Sequence, residues 1–135
     1  MTGLVAFARA QTLAVVSTLG PDGPQSALVG IAVAPDFTIV FDTVEDTRKF
    51  RNLMRNPACS LVAGWAGERT VQIDGAAKRT ASTADNPVLQ PYFAAFPDGR
   101  DRLGWAGIAH FVVTPTWARY SDYSIEPALM ETWPT

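Results

Sequence analysis

Residues 37–57, FTIVFDTVEDTRKFRNLMRNP, contain a predicted β-strand that leads directly into a predicted helix. The strand covers Thr38–Asp42, where β-branched and aromatic residues follow one another. The helix begins at Thr47 and ends before Pro57, because proline disfavours the helical conformation in the residue that precedes it. One face of the helix carries apolar residues at helical spacing, namely Phe50, Leu53 and Met54. The segment therefore predicts a strand–helix unit.

The start of this helix has the chemistry of a phosphate site. Thr47, Arg48 and Lys49 place a hydroxyl and two cations in the first turn, where free backbone N–H groups and the positive end of the helix dipole attract anions. Arginine adds a planar set of donors that matches a phosphate. Four of the eleven Lys and Arg residues fall within eight positions, namely Arg48, Lys49, Arg51 and Arg55. A solvated helix with a basic outer face has the same pattern, and the segment alone does not decide between the two.

The composition is that of an ordinary globular protein, and one domain over residues 1–135 is expected. The chain is 47% hydrophobic and 18% charged, and it is long enough to bury a core without metal or disulfide bonds. Its net charge is −2, which suits a small phosphorylated ligand better than a nucleic acid, since a nucleic acid requires a broad basic face. No apolar stretch is long enough to span a bilayer, and the N-terminus lacks the pattern of a signal peptide. A cytoplasmic protein that binds neither nucleic acid nor membrane is expected.

Six or seven short strands and two or three helices are predicted along the chain. Apart from the strand–helix unit, the sequence predicts helices at 2–10 and 84–97 and strands at 12–18, 25–34, 58–65, 69–80, 108–114 and 117–123. Gly75 predicts a bulge or bend within its strand. Short strands joined by hairpin-type turns indicate a mainly β fold, a small antiparallel barrel. The strands at 25–34 and 58–65 are apolar on both faces, so a helix or a second subunit is expected to cover them.

Several motifs follow one another in the order of a known family. A strand that ends in Thr43 precedes Thr-Arg-Lys, then Asn-Pro, then Val-Gln-Ile-Asp-Gly at residues 71–75. Together with STLGPDGPQSALVGIAV at residues 17–33, these motifs resemble the pyridoxamine phosphate oxidase-like, FMN-binding split-barrel proteins over about residues 10–80. The segment TPTWARYSDY, residues 114–123, resembles the last strand of the small flavin reductase-like members, and the general stress protein-like members are similar. The resemblance implies a six- to seven-stranded antiparallel split β-barrel.

The resemblance also implies which residues bind FMN. Arg48 and Lys49 match the ligands of the flavin phosphate, with Thr47 beside them, and Asp42 and Thr43 match the strand end that contacts the phosphate and the ribityl chain. The strand whose backbone lies along the isoalloxazine ring corresponds to Ala27, Leu28, Val29, Gly30, Ile31 and Ala32.

Four further residues are implied to complete the flavin site. Thr70 stands where the oxidases carry a flavin-contacting glutamine, and Gln72, two residues on and so on the same strand face, is a second candidate. In the family, an aromatic residue and an arginine of the partner subunit close the site, and Trp117 and Arg119 match that pair. The alternative is that Trp117 packs on the barrel beside a surface arginine.

Other reactive groups are expected to be structural or solvated. Cys59 lies in an apolar run and is expected to be buried, and His110 lacks the further ligands of a metal site. Asp122 has no acidic partner at a telling spacing, and Arg100 and Arg102, in a loop rich in glycine and aspartate, are expected to be solvated. No catalytic residue or metal site is therefore predicted, and a cofactor would have to supply any chemistry.

The resemblance implies a homodimer with FMN at the subunit interface, which exchanges a hydride or electrons with a small substrate. The alternatives are a deazaflavin-dependent reductase, whose family has a similar Thr-Arg-Lys segment, and a non-catalytic protein that binds flavin or haem. A true pyridoxamine phosphate oxidase is not expected. Those oxidases end in a segment whose Arg-x-His grouping holds the substrate, whereas the sixteen residues after Arg119 contain neither arginine nor histidine.

Overall fold

Eight antiparallel strands form one sheet in residues 3–135, the part of the chain that the computed structural model describes. The strands are β1 (Leu13–Gly20), β2 (Gly23–Gly30), β3 (Ala32–Val33), β4 (Ile39–Val44), β5 (Ala58–Ala63), β6 (Arg69–Thr80), β7 (Ile108–Asp122) and β8 (Leu129–Trp133). Their order in the sheet is β2-β1-β5-β6-β7-β4-β3, and β8 pairs with the second half of β7.

Three α-helices accompany the strands over the same residues: α1 (Gly3–Arg9), α2 (Arg48–Arg55) and α3 (Gln90–Ala95). The helix predicted at 2–10 is found as α1, and Thr2 lies outside the described residues. α2 ends where Asn56 N–H donates to the Asn52 carbonyl and takes an extended conformation before Pro57. None of the helices between residues 3 and 135 has the length and apolar character that crossing a membrane requires.

The sheet curls into a barrel that stays open at one seam. β2 and β3 are the two ends of the strand order, yet Ile31 alone separates them along the chain. The two ends of the sheet must therefore lie close together, and β2 lies beside β4 without a ladder between them. This arrangement confirms the prediction of an antiparallel split barrel, and the seam between β2 and β4 is the split.

Two apolar clusters hold the barrel and its cover together. The barrel interior is filled by inward-facing residues that alternate along the strands, among them Phe41, Leu61, Ile73 and Phe111. On the outside, Tyr92 and Phe93 of α3, with Leu89 immediately before the helix, pack over Ala32 on β3 and Val40 on β4, beside Val112 on β7. The segment that follows α3 is thereby brought to the outer side of β4, next to the seam.

Some predicted boundaries were wrong. The strand predicted at 25–34 is broken at Ile31, because the chain leaves one end of the sheet there and enters the other. The strands predicted at 108–114 and 117–123 are one strand, β7. β8 was not predicted at all.

The bend predicted at Gly75 is confirmed as a β-bulge between β6 and β7. Asp74 is opposite Trp117 and Gly75 is opposite Pro115, so Thr116 is the extra residue on β7. The Thr116 hydroxyl donates to the Asp74 carbonyl at 3.2 Å. A bulge interrupts the ladder locally, and it lets proline, which has no N–H group to donate, remain within a long strand.

The outer faces of β2 and β5 are not covered by a helix of the described chain. β5 alternates strictly between buried and exposed residues, and its outward-facing Val62 is 43% exposed. Leu28, on the outer face of β2, is 61% exposed. Of the two covers that the sequence suggested, a helix is found only over Ala32, at the end of the predicted strand 25–34, where α3 packs. A second subunit over Leu28 and Val62 stays a prediction.

Candidate functional site

Hydroxyl groups join the end of β4 to the start of α2. Thr47 is the N-cap of α2, and its Oγ1 accepts the Phe50 N–H at 3.3 Å. The same hydroxyl donates to the Val44 carbonyl at 3.0 Å and lies 2.8 Å from the hydroxyl of Thr43. The next two N–H groups, those of Arg48 and Lys49, have no acceptor within the helix. The first turn is therefore fixed in place and has donors left for an anion.

The four basic residues of α2 divide into two pairs. Arg51 donates to the Asp46 carbonyl at 2.7 Å, and Arg55 donates to Asn52 Oδ1 at 2.9 Å. Within the described chain, the side chains of Arg48 and Lys49 make neither an ion pair nor a hydrogen bond, and Lys49 is half-buried. Burial lowers the pKa of Lys49, and the nearby carboxylate of Asp42 opposes that shift. Two cations without protein partners at a capped helix start favour the phosphate site over the solvated basic face.

Two neighbouring pockets that share Lys49, here together named the seam cleft, lie at the start of α2 and along the free edge of β2. Its first part is lined by Thr18, Gln25, Ser26, Ala27, Asp46, Thr47, Arg48 and Lys49. Its second part is lined by Leu28, Val29, Gly30, Asp42, Thr43, Val44, Lys49, Trp105 and Ile108. Lys49 belongs to both parts. Because β2 is an edge strand, its backbone groups that do not pair with β1 are available to a ligand in this cleft.

Arg102 neutralises the one carboxylate in the second part of the cleft. Its Nε donates to Asp42 Oδ2 at 2.7 Å, its Nη1 to Asp98 Oδ2 at 2.8 Å and its Nη2 to the Tyr92 hydroxyl at 3.0 Å. The side chains of Asp42 and Arg102 are largely buried. The prediction that Arg102 is solvated was wrong, because the segment after α3 folds over the outer side of β4. Burial, with the charge of Asp42, raises the pKa of Tyr92 to about 12, so its hydroxyl stays protonated.

Arg100, which was also expected to be solvated, is exposed but has partners. Its guanidinium lies 4.5 Å from the centre of the Phe93 ring, and it donates to Gln90 Oε1 at 3.0 Å and to the Ala84 carbonyl at 3.3 Å. Arg100 therefore holds the 84–90 segment against α3 and takes no part in the seam cleft.

The structure brings most of the predicted flavin-binding residues together. Nine of the predicted residues line the seam cleft, namely Ala27, Leu28, Val29, Gly30, Asp42, Thr43, Thr47, Arg48 and Lys49. Ile31 and Ala32 do not line it, because both are buried where the chain crosses from β2 to β3.

The other four predicted residues lie elsewhere, on the outer faces of β6 and β7. Gln72 is opposite Arg119 in the ladder, and the Arg119 guanidinium lies 5.5 Å from the centre of the Trp117 ring. Thr70 donates to the Ala63 carbonyl at 3.4 Å. Within one chain these residues do not reach the seam cleft, so their part in a flavin site requires a second copy and stays a prediction.

The groups expected to be structural lie outside the cleft. Cys59 is buried, as predicted, and burial raises the pKa of its thiol to about 11, which makes it a poor nucleophile. His110 is buried between β4 and α3, with Nδ1 2.8 Å from the Ser82 hydroxyl and Nε2 without a partner. Asp122 accepts hydrogen bonds from Ser124. Residues 3–135 contain no cluster of His, Cys, Asp or Glu that would hold a metal ion.

Sequence reasoning missed Trp105 and Arg102 as residues of the site. Both belong to the segment PDGRDRLGWAG, which was interpreted as loop. The available signal was a tryptophan between two glycine-containing turns, since an aromatic residue in a polar loop is often exposed for binding. The pairing of Arg102 with Asp42 spans 60 positions and leaves no local pattern.

Comparison with known proteins identifies the family. A family model described as pyridoxamine 5′-phosphate oxidase matches residues 3–122. A pyridoxine/pyridoxamine 5′-phosphate oxidase of Nocardioides sp. (strain ATCC BAA-499 / JS614) is 29% identical over 141 residues, which cover 88% of this chain and 64% of the relative. A pyridoxine/pyridoxamine 5′-phosphate oxidase of Streptomyces avermitilis is 35% identical over 101 residues, which cover 73% of this chain and 43% of the relative. The chain thus spans less than two thirds of the length of these curated relatives.

Solved structures share the fold at low sequence identity. A heme binding protein from Mycobacterium smegmatis has a TM-score of 0.78 and 17% identity, covering 96% of this chain and 55% of that one. A pyridoxamine 5′-phosphate oxidase-related, FMN binding protein from Nostoc punctiforme has a TM-score of 0.69 and 13% identity, and the match covers 90% of this chain and 80% of that one. An F420 reductase has a TM-score of 0.64 and 21% identity, and the match covers 87% of this chain and 97% of that one. Since the family model spans most of the chain and these structures share its split barrel, the chain belongs to the pyridoxamine 5′-phosphate oxidase family.

Proposed function

We propose that this chain is a flavoprotein that binds flavin mononucleotide in the seam cleft, with the phosphate at the start of α2 and the ring system along β2. The observation that carries the proposal is the pair of cations without protein partners, Arg48 and Lys49, at a capped helix start that opens into the cleft. A phosphate at a helix start gains from backbone donors, the helix dipole and charge-assisted side-chain hydrogen bonds.

The residues present fit both ends of such a ligand. At one end, the N–H groups of the first turn, which the Thr47 hydroxyl caps, and the two cations form a donor set suited to a phosphate. At the other end, Arg102 neutralises Asp42, the one carboxylate that lines the second part of the cleft. The likeness to an FMN binding protein and to an F420 reductase supports a cofactor of the flavin type.

A second copy of the chain is proposed to complete the site. Leu28, Val15, Val62, Gln72 and Arg119 lie opposite one another in successive ladders, so they form one row across the outer face of the sheet. The row begins with exposed apolar side chains at the β2 edge and ends with the polar pair on β6 and β7. An apolar patch of this kind marks an interface. A partner docked on this row would cover it and would carry its own Gln72, Trp117 and Arg119 toward the β2 edge.

The proposed activity is oxidoreduction with a small substrate. A bound flavin supplies hydride or electron transfer, and this chain's residues bind the phosphate and orient the ring. No substrate is assigned. That the chain does not oxidise pyridoxamine phosphate stays a prediction, and His110, buried beneath α3, is not placed to hold a substrate in the cleft.

Two rival cofactors have support from the comparisons. The likeness to an F420 reductase favours a deazaflavin as the alternative cofactor, and the likeness to a heme binding protein favours a non-catalytic haem or flavin carrier. The absorbance spectrum of the purified protein separates the three classes, because flavin, deazaflavin and haem have distinct bands. A flavin spectrum is expected, and a haem or deazaflavin spectrum would replace the proposal by the corresponding alternative.

The phosphate site is tested by comparing FMN with riboflavin, which lacks the phosphate. The wild-type chain should bind FMN more tightly, and Arg48→Ala should weaken FMN binding roughly ten- to a hundredfold, since charged hydrogen bonds are each worth a few kcal/mol. Arg55→Ala is the matched control, because this arginine lies on the same helix and donates to Asn52. Equal affinity of the wild type for FMN and riboflavin would refute the phosphate assignment.

A further inference from the structure

The segment between α3 and β7 is tied at two points that flank Trp105, one on β4 and one on the residue that follows β4. On one side, Arg102 binds Asp42 on β4 and Tyr92 on α3. On the other side, the Gly107 carbonyl accepts the Glu45 N–H at 2.9 Å. Between them, Trp105 N–H donates to the Arg102 carbonyl at 2.9 Å and the Trp105 carbonyl accepts the Ile108 N–H at 3.3 Å. The backbone of Trp105 is thus held on both sides.

The Trp105 side chain, in contrast, has little protein around it. It is 57% exposed, although its backbone is anchored. The rings of Trp117 and Trp133 contact Arg119 and Phe37, whereas within residues 3–135 the Trp105 ring takes part in no aromatic pair or cation–π contact. Large apolar rings are costly to expose when nothing covers them. An anchored, uncovered tryptophan is a ring available to a ligand without reorganisation.

Trp105 also lies at the part of the molecule where a planar ligand would sit. It lines the second part of the seam cleft together with residues 28–30 of β2 and with Lys49. The donor set for a phosphate lies in the first part, at the start of α2. Trp105 is therefore separated from the phosphate end and belongs to the end that would receive a ring.

The geometry points to Trp105 as the residue that stacks on the ring system of the ligand, with Arg102 as the positioning residue that holds its segment over the cleft. This inference rests on the proposed function. Among the described residues that line the cleft, Trp105 is the one with an aromatic ring. Aromatic rings stack on planar heteroaromatic ligands through dispersion and quadrupole interactions. The contribution depends on the ring of the ligand and is independent of its phosphate.

The test measures affinity for FMN and for riboflavin in Trp105→Ala, Trp105→Phe and Trp65→Ala. Trp65 is the matched control, since it is also 57% exposed but does not line the cleft. Trp105→Ala should weaken both ligands by the same factor, roughly five- to a hundredfold, which is the range found for stacking of a base on an aromatic side chain. Trp105→Phe should retain most of the affinity, and Trp65→Ala all of it.

Fluorescence gives a second readout. The difference in emission between the wild type and Trp105→Phe reports Trp105, and this component should be quenched when riboflavin binds. Binding by wild type together with unchanged affinity in Trp105→Ala would overturn the inference while the proposed function stands. A loss limited to FMN, or a change of mass on light scattering in Trp105→Phe, would also overturn it. Failure of the wild type to bind either flavin would remove the proposed function itself.

Discussion

At the scale of single residues, the pair Asp42 and Arg102 decides the charge of the seam cleft. The carboxylate of Asp42 lies close enough to Lys49 to act on its pKa, but the ion pair is made with Arg102. If Arg102 were absent, Asp42 would lose its ion pair, and its charge, which already acts on Lys49, would compete with a phosphate for that cation. The guanidinium thus keeps Lys49 available, and it also satisfies a carboxylate that is largely buried.

We therefore expect Arg102→Met to destabilise the protein by roughly 2–4 kcal/mol, because it leaves Asp42 buried without its partner. Asp42→Asn in the same chain should recover a large part of that loss. Denaturant unfolding of the two single variants and the double variant gives the coupling directly. Arg100→Met, at the exposed arginine on Phe93, is the control and should cost less than 1 kcal/mol. Strictly additive effects of the two substitutions would contradict the assignment.

His110 makes a second prediction at this scale, on pH. Burial lowers the pKa of His110, and the charges of Asp42 and Arg102 act on it in opposite directions. The unfolded chain therefore takes up a proton near the ordinary pKa of about 6.5, where the folded protein does not. Stability should be constant above that pH and should fall as pH decreases below it, by at most about 1.4 kcal/mol per pH unit.

The measurement is the free energy of unfolding between pH 5 and 8 for the wild type and for His110→Gln. The variant should lose the decrease below pH 6.5. The carboxylates Asp36 and Asp122 do not interfere, because their pKa values are lowered from 3.8 and they titrate below this range. A decrease of equal slope in both proteins would show that another group carries it.

At the scale of elements, the sequence predicted what local periodicity and capping encode. In the sequence, Thr47 and Pro57 bound α2, and the apolar run at 58–65 and the Val-Gln-Ile-Asp-Gly motif at 71–75 predicted the strands found as β5 and β6. It did not predict β8 or the continuity of β7. Pro115 reads locally as the end of a strand, whereas in the structure the bulge opposite Gly75 accommodates it. β8 exists because it pairs with Ala118–Asp122, and the residues alone show no period that requires a strand.

The candidate site likewise has one part that the sequence predicted and one part that it did not. Thr47, Arg48 and Lys49 are consecutive, so their shared chemistry is visible in the sequence. Trp105 reaches the cleft, and Arg102 reaches Asp42, because α3 packs on the outside of β3 and β4 and directs the next segment to the seam. That packing depends on contacts between Ala32, Val40 and residues about fifty positions further on, which no pattern in one sequence reports.

The bulge supplies the prediction at this scale. A Cβ atom on Gly75 would lie 2.6 Å from the Thr114 carbonyl oxygen, which belongs to the backbone of β7 and has no flexible side chain to move aside. Gly75→Ala should therefore force the two strands apart and destabilise the protein by roughly 1–3 kcal/mol in denaturant unfolding. Gly104→Ala is the matched control, since a Cβ there meets nothing within 4 Å. A neutral Gly75→Ala would show that the bulge can shift at no cost.

At the scale of the whole molecule, one outer face of the barrel is covered by other segments of the chain and another is uncovered. α3 and the segments around it cover the outer side of β3, β4 and the first half of β7. The outer side of β1, β2 and β5 has no such cover in residues 3–135, and it carries Leu28 and Val62 on adjoining strands. The seam cleft lies at the edge of this open face, so a partner bound there would border the cleft.

The last prediction concerns the uncovered face and the seam cleft at its edge. The chain should form a homodimer, with a mass about twice 14.6 kDa on light scattering at micromolar concentration. Val62→Lys places a charge in the middle of the apolar row and should yield a monomer. Val88→Lys is the matched control, because Val88 is 40% exposed, close to the 43% of Val62, but lies beside α3. It should leave the mass unchanged.

The same two variants connect the interface to the cleft. If the partner's residues complete the flavin site, the monomeric Val62→Lys should bind FMN and riboflavin more weakly by a similar factor, because the start of α2 is intact in it. Arg48→Ala should do the reverse, remaining a dimer and losing affinity for FMN alone. A Val62→Lys monomer that binds flavin like the wild type would separate the interface from the site, and Gln72, Trp117 and Arg119 would then have no part in it. A wild-type mass near 14.6 kDa would exclude the two-copy site altogether.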